Sequence, residues 1–189
     1  MSTPESQVRQ GTHLNRTSAT RQAIVNASRQ VIADGGIKNL SMASVADVSG
    51  VARATVYNHV RDKHELLDLV AQDVREEIIE IASNAAEQDF LAALIAVAHY
   101  VATDPMISKL RTTDADVLLQ VISSLLELSD DVAKPVMEIL LQTSAHADLA
   151  AVEVVLRWLS TYCLLPATAA EREVGAEIVF HSLTQDATQ

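Results

Sequence analysis

The side chains best placed to do chemistry lie in one stretch, Arg53 to Lys63, which reads R-A-T-V-Y-N-H-V-R-D-K. Carried into a DNA major groove, Arg53 can bond bidentately to guanine, Asn58 can read adenine, and Ala54 can meet a thymine methyl. That is recognition chemistry, in which no covalent bond breaks. Reaction chemistry has no comparable foothold. The chain holds no G-x-S-x-G, no phosphate-binding glycine loop and no Cys/His set at metal spacing. His64-Glu65 followed by Asp68 lacks the second histidine of H-E-x-x-H and reads as the charged first turn of a helix. His99, His146 and His181 stand on separate predicted helices, with His99 expected either in a pocket or as a hydrogen-bonded core histidine. Cys163 is the single cysteine, which excludes an internal disulfide and fits a small buried hydrophobe in a reducing cytosol. No catalytic residue, metal or cofactor is expected. A small helical enzyme built on Cys163 or His99 would need a second partner, and spacing places none.

For Arg53 and Asn58 to reach a groove, a helix must carry them and others must present it. The run from Leu40 to Leu67, L-S-M-A-S-V-A-D-V-S-G-V-A-R-A-T-V-Y-N-H-V-R-D-K-H-E-L-L, has that organisation. Ser41 can cap a short helix whose inward face carries Met42, Val45, Ala46 and Val48. Gly50 interrupts it, because a tight turn between helices needs a residue free to adopt positive φ. Val51 turns back into the core, and a second helix runs from about Arg53 to His59 with Val56 inside. Ala46, four positions before Gly50, is small enough to let the two helices approach. The pattern is that of a helix-turn-helix.

On either side stand supporting helices. Ile24, Ala27, Val31 and Ile32 recur at helical spacing between about Ser18 and Asp34, leaving Thr20, Arg21 and Arg29 outside the stripe. Gly35-Gly36 ends that helix, and Ile37 and Leu40 pack the following loop. A further helix starts at Asp62 or Lys63, where Asp62 and Glu65 are spaced like a capping box. Its stripe of Leu66, Leu67, Val70, Val74, Ile78 and Ile81 is long enough to begin in one domain and end in another.

The 189 residues carry a net charge of −11, unevenly divided. Residues 1–64 hold eight Lys/Arg against four Asp/Glu, or +4, and residues 65–189 hold six against 21, or −15. A nucleic-acid domain joined to a non-binding domain would show this asymmetry. Residues 1–17 read as a flexible arm in which Arg9, His13 and Arg16 could brush phosphates. The polar opening predicts no secretory signal, and the longest apolar run, Phe90 to Ala98, is too short to span a bilayer, so a cytoplasmic location is expected. Beyond Gln88 the chain reads as Ala- and Leu-rich helices: Phe90 to Thr103, Met106 to Leu110, one from Asp114, one with Pro135 in its first turn, then Asp148 to Leu165 and Ala167 to Leu183. In the helix from Asp148, one face carries Leu149, Val152, Leu156 and Leu159 and another carries Val155, Trp158 and Tyr162, so both must be covered.

T-V-Y-N-H-V-R-D-K resembles the end of the DNA-binding unit of TetR/AcrR-family transcriptional regulators, and T-R-Q-A-I-V-N-A-S-R-Q-V-I-A-D-G-G from Thr20 is similar to that family's first helix and glycine stop. The resemblance covers about Thr20 to Leu69. It implies an all-α fold of about nine helices, with a three-helix DNA-binding domain over residues 18–64 and a helical ligand-binding and dimerisation domain over residues 65–189. It implies that Thr55, Tyr57, His59 and Lys63 touch the DNA backbone, with Tyr57 also reaching a base edge. Ser41 matches a phosphate-contacting position, and Arg53, Ala54 and Asn58 match those that set sequence preference. Ala52 departs from the pattern by offering no capping side chain, and Val60 by replacing a commoner Phe.

The resemblance further implies a homodimer formed through the last two helices, a palindromic double-stranded DNA operator, and a small effector bound among the central helices. Helical pattern nominates His99, Tyr100, Met106, Leu110, Leu118, Ile122 and Trp158 as the effector's lining, which suits a mainly apolar molecule. The expected function is a repressor released by that effector. The rival reading is a protein-interaction module that keeps the helix-turn-helix as a scaffold.

Overall fold

Glycine, serine and aspartate punctuate a run of helices that takes up nearly all the described residues. The computed structural model describes residues 4–143 and 147–184, with side chains from residue 17 onward. Ten α-helices and one short 3-10 turn make up all the regular structure among the described residues. They fall into two compact units that part between Asp73 and Val74.

The first unit opens with α1 (Pro4–Gly35), followed by the 3-10 turn (Ile37–Asn39), α2 (Met42–Ser49), α3 (Arg53–His59) and the start of α4 (Lys63–Ala86). The first helix reaches further back than its apolar stripe, so residues 4–16 continue a helix where an arm was expected. Pro4 suits a first turn, where its missing N–H has no partner to lose, and only Gly11 opposes helix between there and residue 17. The side chains of Arg9, His13 and Arg16 lie outside the described residues. Ile24, Ile32, Val45, Val56 and Leu66 are completely or almost completely buried. Each contributes about 1.5–3 kcal/mol through burial, and together they hold the short helices that could not persist alone.

Ser41 caps α2 as its sequence promised. The Ser44 N–H donates to Ser41 Oγ at 3.1 Å, and the Ser41 N–H donates to Ser44 Oγ at 2.9 Å, closing a capping box. Gly50 then takes φ 68°, and a Cβ there would meet nothing within 4 Å, so backbone conformation alone demands the glycine. Val48, expected to face inward, is 54% exposed. The buried positions Met42, Val45 and Ala46 define a stripe from which Val48 lies about a third of a turn away.

The second unit contains the rest of α4 with α5 (Phe90–Thr103), α6 (Pro105–Thr113), α7 (Ala115–Leu125), α8 (Asp130–Gln142), α9 (Leu149–Leu164) and α10 (Ala169–Thr184). In α5 the buried residues Phe90, Ala93, Leu94, Val97, Ala98 and Val101 form one inward face. Its first half packs with α8, α9 and α10 around Leu140 and Val152; its second half packs with Ile107 of α6 and Tyr162 of α9. Asp89, Asp104 and Asp148 each accept a backbone N–H three residues on, at 2.7–2.8 Å, and so start α5, α6 and α9. Asp104-Pro105 also bends the chain by 53° between α5 and α6.

Three details differ from the sequence pattern. Pro135 lies in the second turn of α8, which starts earlier, at Asp130; acidic Asp130 and Asp131 favour that end of the helix dipole. Leu149, assigned to an apolar face of α9, is exposed at the helix's first position, where Asp148 capping rather than burial fixes the start. Met106 to Leu110 extends to Thr113, because Pro105 and the Asp104 cap give the helix a firm beginning. No single helix among the described residues is long and apolar enough to cross a membrane.

Candidate nucleic-acid interface

The buried side chains Val56 and Val60 fix how α3 sits in the first unit, and thereby which residues it turns outward. Arg53, Ala54, Tyr57 and Asn58 are all exposed and share one face of the helix. Tyr57, 55% exposed, is the sole large aromatic left in solvent among the described residues. Arg53, Tyr57 and Asn58 also have no side-chain hydrogen-bond partner among the described residues. Thr55 and His59 flank this face half-buried. Ala52 stands at the N-cap of α3 and supplies no side-chain bond, as its type dictates.

Ser41 is exposed at the start of α2, its hydroxyl already engaged with Ser44. Ser44 also donates its Oγ to Asn39 O at 2.9 Å, a support that sequence reasoning overlooked although S-x-x-S is a visible variant of the capping pattern. Lys63 is half-buried, and its Nζ donates to the carbonyl of Ile37 at 2.6 Å. That bond ties the start of α4 to the 3-10 turn ahead of α2, a positioning contact beyond the phosphate role implied by the motif. Asp62 caps α4 by accepting the N–H groups of His64 and Glu65 at 2.8 and 3.0 Å, which holds its carboxyl below the usual range. Glu65 reaches back to Arg61 rather than to Asp62, accepting its backbone N–H at 2.6 Å and its Nε at 3.1 Å. The pairing occupies the Arg61 charge, whereas Arg53 keeps its own unpaired.

Residues 24–70 match the family described as "Bacterial regulatory proteins, tetR family". That segment, most of the first unit, is of TetR type. The TetR likeness extends through the fold. A TetR-family transcriptional regulator from Pectobacterium atrosepticum is 18% identical with a TM-score of 0.60, the match covering 90% of this chain and 96% of that one. The TetR-family repressor AlkX from a Dietzia strain, implicated in biodegradation of n-alkanes, is 17% identical with a TM-score of 0.55, covering 87% and 98%. At such identities the agreement concerns the all-helical architecture. No curated protein matches the sequence. Together these findings give residues 24–70 a TetR-type sequence and the chain an all-helical fold similar to that of TetR-family regulators.

In the second unit the nominated effector lining is spread over α5, α6, α7 and α9. Met106 and Leu110 of α6 and Leu118 and Ile122 of α7 are buried on two adjacent helices. Tyr100 and Trp158 pack instead on the cluster around Val97 and Tyr162. The Tyr100 hydroxyl donates to Glu77 Oε2 at 2.6 Å, so the phenol already has a strong acceptor. His99 lies outside the core: it is exposed, with Nδ1 3.3 Å from the Arg172 guanidinium. It falls beside the inward face of α5, a phase its wholly apolar neighbours obscured. Cys163 is half-buried, and desolvation pushes its thiol up to about 11. Among the described residues no group of three His, Cys, Asp or Glu side chains could hold a metal.

Proposed function

We propose that this TetR-type chain is a sequence-specific transcriptional regulator, a homodimeric repressor that binds a palindromic operator and leaves it when a small, mainly apolar effector binds. The observation that carries the reading is the outward face of α3, where Arg53, Tyr57 and Asn58 stand exposed and, among the described residues, unpartnered. Leaving such groups in water costs nothing until DNA is bound, when they exchange hydration for base edges and phosphates. Arg53, Ala54 and Asn58 read sequence; Ser41, Thr55, Tyr57, His59 and Lys63 hold the backbone. The net charge of −12 over residues 74–189, six Lys/Arg against 18 Asp/Glu, keeps the second unit away from phosphate and so helps orient the protein.

Dimerisation through the last two helices is supported by their outer faces. Val154 on α9 and Val174 and Ile178 on α10 are exposed, while Val152, Val155, Ala176 and Val179 are buried on the inner side. A helix apolar on both sides needs two covers, and one chain supplies one. Two-fold symmetry then places the half-sites about 34–36 Å apart. The effector site is drawn from buried apolar residues such as Met106, Leu110, Leu118 and Ile122, and α4, which belongs to both units, transmits its occupancy to the reading helix.

Selection of the purified protein against random duplex DNA, across a salt series, tests the reading. Enrichment of a palindrome that survives near-physiological salt is expected, and Tyr57→Ala should weaken binding to it by at least about tenfold without altering the dimer. Binding indifferent to sequence and lost with salt would report counter-ion release alone and favour the interaction-module reading.

A further inference from the structure

We propose that Asp73, gripped by Gln22 and Arg29, is a positioning residue that sets which half-site spacing the protein accepts; this rests on the homodimeric, palindrome-binding reading above. Asp73 accepts from Arg29 Nη1 at 3.1 Å through Oδ2 and from Gln22 Nε2 at 3.0 Å through Oδ1, so both carboxylate oxygens are engaged. Gln22 and Arg29 are seven residues apart, two turns of α1 on one face. Gln22 Nε2 also donates to Asn26 Oδ1 at 3.2 Å, which steadies the amide, and Arg21 Nη2 reaches Gln72 Oε1 at 3.3 Å beside it. The Arg29 and Asp73 side chains retain only 20% and 19% of their exposure, so the pair is sheltered and Arg29 is not presented as a phosphate ligand.

The clasp closes the far end of the α4 segment that belongs to the first unit. At its near end Lys63 Nζ holds the Ile37 carbonyl at 2.6 Å, and between the two lie the buried Leu66 and Val70. Apolar burial is non-directional and lets a helix roll or slide at small cost. Directed bonds at both ends of about 15 Å of helix do not. The first unit is therefore fixed in roll and register to the Lys63–Asp73 segment of α4 that it contains. In a two-fold dimer any roll of the reading helix against α4 appears twice, once at each half-site, and changes their separation. Locking that roll selects one spacing.

The experiment is a selection on palindromes whose central spacer varies by single base pairs, using full-length wild type, Arg29→Asp, Asp73→Arg, the double reversal and the milder Gln22→Ala. Circular dichroism checks folding, and a salt series counts phosphate contacts. The wild type is expected to prefer one spacer. Each single reversal should lower that preference by about three- to tenfold while keeping the base preference within a half-site and the salt slope; the double reversal should recover most of it. Gln22→Ala should give a smaller loss in the same direction. Unchanged spacer preference in folded single variants overturns the proposal, as does a shallower salt slope for Arg29→Asp, which would make Arg29 a phosphate contact. If reversals unfold the head, an unchanged spacer preference in folded Gln22→Ala overturns it. A wild type that selects no palindrome would fail the underlying functional reading instead.

Discussion

The two units spend their polar side chains differently. In the first, the residues of the outward face of α3 have no partners among the described residues, and the bonds nearby in sequence serve the fold, in the Ser41–Ser44 capping box and the Lys63–Ile37 tie. In the second, polar groups finish helices. Asp89, Asp104 and Asp148 start three of them, and Arg111 closes the end of α9 by donating to the carbonyls of Cys163 and Tyr162 at 2.8 and 3.1 Å. The second unit's outward surface also keeps apolar side chains, at Leu141, Val174 and Ile178. A surface that keeps free hydrogen-bonding groups suits a polar partner such as DNA. One that keeps free hydrocarbon suits another protein surface.

The largest expected effect tests whether that division of labour is real. Leu140→Ala removes a completely buried side chain from the cluster joining α5, α8, α9 and α10, and should lower stability by about 2–5 kcal/mol in denaturant unfolding. It should leave untouched which bases are preferred within a half-site. Arg53→Ala should do the reverse, costing about 1–3 kcal/mol of affinity at one base position with an unchanged melting temperature. A shifted base preference in folded Leu140→Ala would break the comparison.

Two glycines sharpen it further, because each region needs one for a different reason. Gly50 needs its φ of 68° and has open space around it, so Gly50→Ala should cost about 1–2 kcal/mol and Gly50→Asn less. Gly175, inside α10, needs room: a Cβ there would lie 2.7 Å from Tyr162 Oη and 2.9 Å from Trp158 Nε1. Overpacking should cost Gly175→Ala about 1–3 kcal/mol, offset in part by the better helix propensity of alanine. Tyr162→Phe, by removing the nearer atom, should reduce that loss, while no core change should rescue Gly50→Ala. Thermal unfolding of the single and double variants separates strain from crowding.

The same contrast explains what could be read from the sequence. Gly50, Ser41 and Asp62 act on their own turn of chain, so residue type and position sufficed. Phase was harder. Val48 lies in an eight-residue helix where three buried positions fix the stripe, and His99 lies in a helix so apolar that its inward face has no contrasting outward one. Long-range ties were not legible at all: Gln22 and Asp73 are 51 residues apart, and nothing local in either announces the other. The Lys63–Ile37 bond is of the same kind, with a motif that pointed outward and a fold that also uses the ammonium inward.

The smallest expected effect concerns one device used in both units. Glu65 lies below the usual carboxylate range because the Arg61 guanidinium bonds it, helped by the Arg61 N–H; Glu171 lies below it because the Thr168 N–H and then its hydroxyl do so at the start of α10. A depressed carboxyl favours the folded state while ionised, so both contributions are complete above the unfolded value and fade as pH falls through it toward the folded one. Glu65→Gln and Glu171→Gln should each flatten part of the acid limb of the melting temperature against pH. Salt should tell them apart. Glu65 pairs with a charged, exposed Arg61, whose attraction added salt screens; Glu171 pairs with neutral donors, whose bonds salt barely touches. High salt should therefore shrink the difference between wild type and Glu65→Gln while leaving the Glu171→Gln difference in place. Equal salt sensitivity of the two would show that the Arg61 charge adds nothing to the cap at α4.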